Sequence, residues 1–248
     1  MVKTKKGEYR DAGSNDRIIV FAKQPNAGKV KTRLIPAIGA QSAAQLHALM
    51  TRQIVAVACA SNTCPVELWC SPTPDHALFA QLAQAFPVSL RTQMGGDLGE
   101  RMYNAFRNVA VGYDCGVDMD VDDTKSVVIV GSDCPTLTPS HFHQAFAALK
   151  AGNSATLVPA PDGGYVLLGL RRLRRQLFDE IQWGTEAVLP TTRTRLQSLQ
   201  WTWQESSAVS DIDTQQDLEM LASCYKQHKL NEELVTFLRR LPELLSAR

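Results

Sequence analysis

The sequence predicts a three-layer α/β/α domain built on a mostly parallel sheet. Three observations carry that prediction. Short apolar runs alternate along the chain with stretches of helical period. The run "SVVIVG" (126–131) is β-branched and apolar through its middle, as in a central strand covered on both faces. No repeat and no linker-like composition divides the 248 residues.

The elements follow in order. Residues 18–22 read as a first, buried strand. Residues 42–60 carry Leu46, Leu49, Met50, Ile54 and Val57 at helical spacing. "VELWC" (66–70) is a second strand, 75–86 a helix, "VSLRT" (88–92) a third strand and 100–111 a helix. After the fourth strand, Thr138 is placed to cap a helix with Pro139 in its first turn. "ATLVPA" and "YVLLGL" are strands split by "PDGG". A helix near 186–199, a strand "LQWTWQ" and a helix from Thr214 follow. The division expected is a mobile tail over 1–16, one α/β domain over 17–228, and an amphipathic helix over 229–248. That helix aligns Leu234, Phe237, Leu238, Leu241 and Leu245. It suits packing on its own domain, or a homodimer contact.

Composition narrows the function. Net charge is +1, which gives no basic surface for nucleic acid. Six cysteines occur without a C-x-x-C pair or zinc spacing, which suits reduced thiols and a cytoplasmic location. No apolar run is long enough for a membrane span, and the polar N-terminal stretch has no secretory h-region.

"FAKQPNAGKVKTRL" (21–34) follows the first strand. It fails the P-loop pattern, because Lys23 stands where the first glycine is needed and Val30 follows Lys29. It fails the dinucleotide fingerprint too, with a single glycine. Yet backbone amides around Gly28, with Lys23, Lys31 and Arg33, suit phosphate oxygens; a solvated basic loop is the plain alternative. "QMGGDLGERM", "GSDCP" and "PDGGY" follow the third, fourth and fifth strands. In an open parallel sheet these loops share the rim where ligands bind. Asp133 suits a divalent ion on a diphosphate, and "SDIDTQQDL" offers Asp211 and Asp213; a helix-capping role for Asp213 stays open. The "PDGG" stretch also fits a simple tight turn. "RRLRR" (171–175) suits either a phosphorylated acceptor or a solvated helix start.

Six motifs in order, "FAKQPNAGKVKTRL", "GGDLGERM", "GSDCPTLTP", "PDGGYVLLGL", "IQWGTEAVL" and "DIDTQQDL", resemble the bacterial DUF2064 family. This is also called the rSAM/selenodomain-associated glycosyltransferase-like family, of the nucleotide-diphospho-sugar transferase (GT-A) superfamily. The resemblance spans roughly residues 18–221. It implies a GT-A-like fold with nucleotide held by Lys23, Gly28, Lys31, Arg33, Gly95, Gly96, Leu98 and Gly99. It implies Mg²⁺ or Mn²⁺ on Asp133 and Asp213. It implies an acceptor side made of Asp162, Gly163, Gly164 and Tyr165, with Trp183 and Thr185 in a further motif. Two departures stand out. "GSDCP" has one acid where many GT-A glycosyltransferases have D-x-D, and the acidic stretch 113–125 is long. That stretch lacks the glycine and glutamate of an EF-hand.

Three functions follow as expectations. The first is metal-dependent glycosyl transfer from a nucleotide-diphospho-sugar to a small-molecule acceptor. Here Lys31 and Arg33 would stabilise the leaving diphosphate, and Asp162 would orient or deprotonate the acceptor. The second is guanylyl- or cytidylyl-type nucleotidyl transfer from an NTP, with release of pyrophosphate. The third is a non-catalytic nucleotide- or partner-binding domain.

Overall fold

A computed structural model describes residues 16–111 and 125–246. Most of the expected N-terminal tail, and the acidic stretch up to residue 124, lie outside the described residues. Seven strands form one sheet: β1 (Arg17–Lys23), β2 (Val66–Ser71), β3 (Val88–Thr92), β4 (Val127–Gly131), β5 (Ala155–Pro159), β6 (Tyr165–Leu170) and β7 (Trp203–Glu205). Their order is β3-β2-β1-β4-β6-β5-β7. β6 runs antiparallel to β4 and β5, and the other pairings are parallel. The short connection 160–164 explains the exception. A parallel partner needs a crossover of about a dozen residues or more.

Side chains alternate across the sheet, and each face has its own core. Ile18, Val20 and Ala22 of β1 pack beneath α1 (Ile35–Ala60), α2 (Ala77–Ala85) and α4 (Pro139–Lys150). Ile19 and Phe21 face α3 (Leu98–Val111) and α5 (Val188–Ser198). β4 is fully apolar inside because it is covered on both sides, as its composition predicts. This is the three-layer, mostly parallel α/β/α architecture that the sequence predicts.

α1 is also covered on its outer side. Leu34, Ile38, Leu46 and Met50 meet α6 (Gln215–Cys224), α7 (Glu232–Arg239) and α8 (Leu241–Ser246) in a third apolar cluster. The single amphipathic helix expected over 229–248 is therefore two helices. Pro242 has no amide hydrogen and its ring clashes with the carbonyl four residues earlier, so the chain restarts there as α8. Leu234, Phe237, Leu238 and Leu241 are buried in that cluster. The final strand is shorter than "LQWTWQ" suggests: Trp201 is buried ahead of β7 and only three residues pair with β5. Among the described residues no helix is long and apolar enough to cross a membrane.

Candidate functional site

The loops at the carboxyl ends of β1, β3, β4 and β5 lie on one rim, as parallel pairing requires, and the segment after β7 joins them. That segment is fixed by main-chain hydrogen bonds. Ser206 donates to Leu157, Val209 to Pro159, and Ile212 to Asp133. The last of these, at 3.0 Å, brings Asp213 beside Asp133 despite the long separation in sequence. Thr214, not Asp213, caps α6, with Asp217 completing the capping box. The Asp213 carboxylate is thereby left for the site.

Lys31 is the centre of the arrangement. Its backbone is left-handed (φ 48°), held between the buried anchors Val30 and Leu34. Its side chain is only 3% exposed, and Nζ lies 3.2 Å from Asp133 Oδ1 and 3.6 Å from Asp213 Oδ1. Arg33, largely exposed, donates to Asp213 Oδ2 at 2.9 Å. Burial opposes the Lys31 charge, but Asp133 and Asp213 outweigh it and raise its pKa above the ordinary lysine value. Burial likewise opposes ionisation of Asp133, yet Lys31 and His47 hold its carboxyl well below the usual range. Both partners are therefore ionised at neutral pH.

His47 was not legible in the sequence. It sits inside α1, buried, with Nε2 3.0 Å from the Lys23 carbonyl and Nδ1 3.5 Å from Asp133 Oδ1. A carbonyl only accepts, so Nε2 carries a proton and Nδ1 faces the carboxylate. Gln93 is a second addition. Its Nε2 donates to the carbonyls of Ala22 (3.2 Å) and Trp69 (2.7 Å), tying the ends of β1 and β2 into a floor. Arg101 is a third; it grips the Gly95 carbonyl at 3.1 Å.

Two cavities meet at this node. The first, of about 620 Å³, is lined by Lys23, Lys29, Lys31, Arg33 and Arg101, with Gly96 and Leu98 at its side. The second, of about 460 Å³, is lined by Asp162, Gly164, Tyr165, Trp183, Thr185 and Asp211. Asp133, Asp213, Lys23, Arg33 and Leu98 border both. The positively charged cavity suits phosphates, and the second opens directly across Asp133 from it.

Of the glycines that the motifs single out, Gly28, Gly95, Gly99 and Gly163 line neither cavity. Gly28 turns the first loop at φ 79°. A Cβ at Gly95 would fall 2.7 Å from the Glu100 side chain. A Cβ on Gly99 would fall 2.6 Å from the indole of Trp183, so Gly99 admits Trp183 against the start of α3. Gly163 has φ 88°, and a Cβ there would fall 2.5 Å from the Glu186 backbone, while its carbonyl accepts from Leu189 at 2.8 Å. These contacts lock the 160–164 loop to the 184–189 segment. Gly163→Ala combines a left-handed backbone with a main-chain clash and is expected to cost about 2–4 kcal/mol. The check is a thermal melt. A midpoint within a degree of the wild type would mean the two loops are not locked.

The other polar side chains of the second cavity are partly occupied. Asp162 Oδ1 accepts from the Gly164 amide at 2.9 Å, so "PDGG" is a tight turn stabilised by its own aspartate. Thr185 Oγ1 donates to Gln182 and braces its own turn. Tyr165 contributes its ring, and burial pushes its hydroxyl well above the ordinary tyrosine range. Cys134 is buried, and burial pushes its thiol well up, which removes it as a nucleophile. Asp211 is raised to about 6, first by burial and then by repulsion from Asp162.

That last shift has a sign. An aspartate raised above its unfolded value of about 3.9 lowers stability as pH rises from there through about 6. Asp211→Asn should therefore raise the melting temperature at pH 7.5, and the gain should vanish below about pH 4. Melts of both proteins across pH 3.5–8 decide it, and a pH-independent difference would rule it out.

The comparisons agree with the fold. The family described as "Uncharacterized protein conserved in bacteria (DUF2064)" matches residues 54–185. A crystal structure from Desulfovibrio desulfuricans G20, provisionally named a nucleotide-diphospho-sugar transferase, superposes with a TM-score of 0.76 at 27% identity; the match covers 94% of this chain and 98% of that one. A cytidylyltransferase from Leptospira borgpetersenii shares the fold at a TM-score of 0.52 and 14% identity, over 95% and 98% of the two chains. No curated protein matches the chain.

Proposed function

The chain belongs to the DUF2064 family, and from that premise and the site geometry we propose a divalent-metal-dependent glycosyltransferase using a nucleotide-diphospho-sugar donor. The observation that carries it is the Lys31–Asp133–Asp213–Arg33 node, set between a cation-lined cavity and a second one rich in carboxylates. The similarity to the Desulfovibrio protein points the same way.

Among the described residues no three acidic, histidine or cysteine side chains converge into a metal cage. Mg²⁺ commonly takes one or two carboxylates and completes its octahedron with water and substrate phosphates. Asp133 and Asp213, which border the same cavities, fit that requirement. The ion, when bound, would help neutralise the leaving diphosphate. Lys31 and Arg33 hold positive charge where the departing phosphate oxygens gain negative charge. Lys23 adds a cation at the mouth between the cavities. Asp162 accepts a hydrogen bond from the acceptor hydroxyl and takes its proton as the new bond to the anomeric carbon forms. The bond from that carbon to the diphosphate breaks, and the nucleoside diphosphate leaves.

Nucleotidyl transfer is the second reading. The specific observation in its favour is the single carboxylate in the β4 loop, Ser132-Asp133-Cys134, where D-x-D would offer two. A thermal-shift panel separates the two. NTPs, NDPs and NDP-sugars are each tested with and without Mn²⁺. A ligand at a hundred times its Kd adds about 2.7 kcal/mol, or roughly 5–10 °C for a chain of this size. A metal-dependent shift with one NDP-sugar is expected. A shift with an NTP but not its sugar conjugate would transfer the assignment to nucleotidyl transfer. No shift at all would remove the nucleotide site and leave the non-catalytic reading.

A further inference from the structure

The second cavity is the acceptor half of the proposed site, and its lining specifies the acceptor's charge. Asp162 and Asp211 face it from different loops, and neither has an ion-pair partner among the described residues. Two cations reach it, Lys23 and Arg33, both at the mouth shared with the phosphate cavity, and Arg33 is bound to Asp213. Lys31 is turned the other way, onto the node.

The arginine run 171–175 was the natural candidate to receive a phosphorylated acceptor, and it is committed elsewhere. Arg171 donates to the Leu149 carbonyl, Arg172 lies over Trp201, and Arg175 lies over Tyr103. None of these lines the cavity. Its apolar walls include the Phe21, Tyr165 and Trp183 rings and the Met102 side chain, which suit the apolar face of a compact polyol.

Resting on the glycosyltransferase reading, we propose that the acceptor is not anionic. It is an uncharged or cationic, hydroxyl- or amine-bearing molecule whose donors satisfy Asp162 and Asp211. A phosphate or carboxylate beside the attacking atom is repelled by both carboxylates in a partly desolvated pocket. The same charge pattern argues against an acceptor phosphate as the nucleophile.

The test uses three probes on one scaffold: glucose, glucosamine and glucose 6-phosphate. Binding is followed by ligand-observed NMR in the presence of the nucleotide that stabilises the protein. The wild type should bind the neutral and amino forms and disfavour the phosphate by at least about tenfold. In Asp162→Asn/Asp211→Asn the phosphate penalty should collapse and the amino form should lose its advantage. Should the double variant not fold, Asp211→Asn alone must shift the same ratios in the same direction. Tight binding of glucose 6-phosphate to the wild type, unchanged ratios in the variants, or no binding of any probe would overturn the proposal. Retained nucleotide binding would then leave the glycosyltransferase reading standing; its loss in the wild type would strike both.

Discussion

Asp133→Asn is expected to lower turnover by about 10²–10³-fold while the protein still folds. The substitution keeps the side chain's size at the end of β4 and removes one charge from the node. Lys31 then has Asp213 as its remaining carboxylate, at 3.6 Å. The ammonium is displaced from the midpoint between two acids, and its position relative to the leaving phosphates is lost. A metal held there would lose one of its two carboxylates and keep only a neutral amide oxygen in its place. The stability cost should be smaller, about 1–3 kcal/mol, because Asp213 stays within 3.6 Å to pair the buried Lys31 ammonium. Its pH dependence follows from the depressed carboxyl. Native Asp133 contributes stability above the unfolded pKa of about 3.9 and loses it as pH falls toward the folded value. The variant's deficit should thus be full at pH 7 and shrink in acid. Steady-state kinetics with the donor found by thermal shift, beside melts at pH 7 and pH 3, read out both effects. A kcat/KM within about threefold of the wild type would remove Asp133 from the chemistry.

Much of this site was legible because its chemistry follows strand ends. β4 declared itself by composition, and the residues just past it had to lie on the rim. Asp133 could be named without knowing what stood next to it. Lys31 and Arg33 were visible as charges in a loop, but not that Lys31 is buried while Arg33 is open. That difference comes from Val30 and Leu34 pinning the loop beneath the α1 start. Asp213 was ambiguous because sequence cannot choose between two adjacent capping residues; the choice rests on Asp217 turning back to Thr214. His47 left no trace, since a histidine on an apolar helix face reads as core. Its role arises only when α1 lies across the end of β1. The resemblance sets Gly99 and Gly163 in the binding loops, but not what lies over them, which is the Trp183 indole and the Glu186 backbone. Pro242 was visible, but the leucine period ran through it and masked the break between α7 and α8.

Lys31→Met should separate two properties that most substitutions at this node would change together. Methionine has nearly the length of lysine and the same aversion to the left-handed backbone at φ 48°, so strain and packing stay nearly constant. What disappears is the charge. Affinity for the nucleotide's phosphates should fall by about 10–100-fold, the value of one or two charge-assisted contacts. Affinity for Mn²⁺ alone should move the other way. In the wild type the Lys31 ammonium lies between Asp133 and Asp213 and competes for the oxygens a cation would take. Without it, both carboxylates face the cavity with Arg33 and His47 as their remaining partners. Mn²⁺ binding to the nucleotide-free protein, read from loss of the free-ion electron paramagnetic resonance signal, should therefore tighten as nucleotide binding weakens. Nucleotide affinity within about threefold of the wild type would take Lys31 out of phosphate binding. Unchanged Mn²⁺ binding would mean that the ammonium and the metal do not share these two aspartates, and the metal would have to be sought elsewhere on the rim.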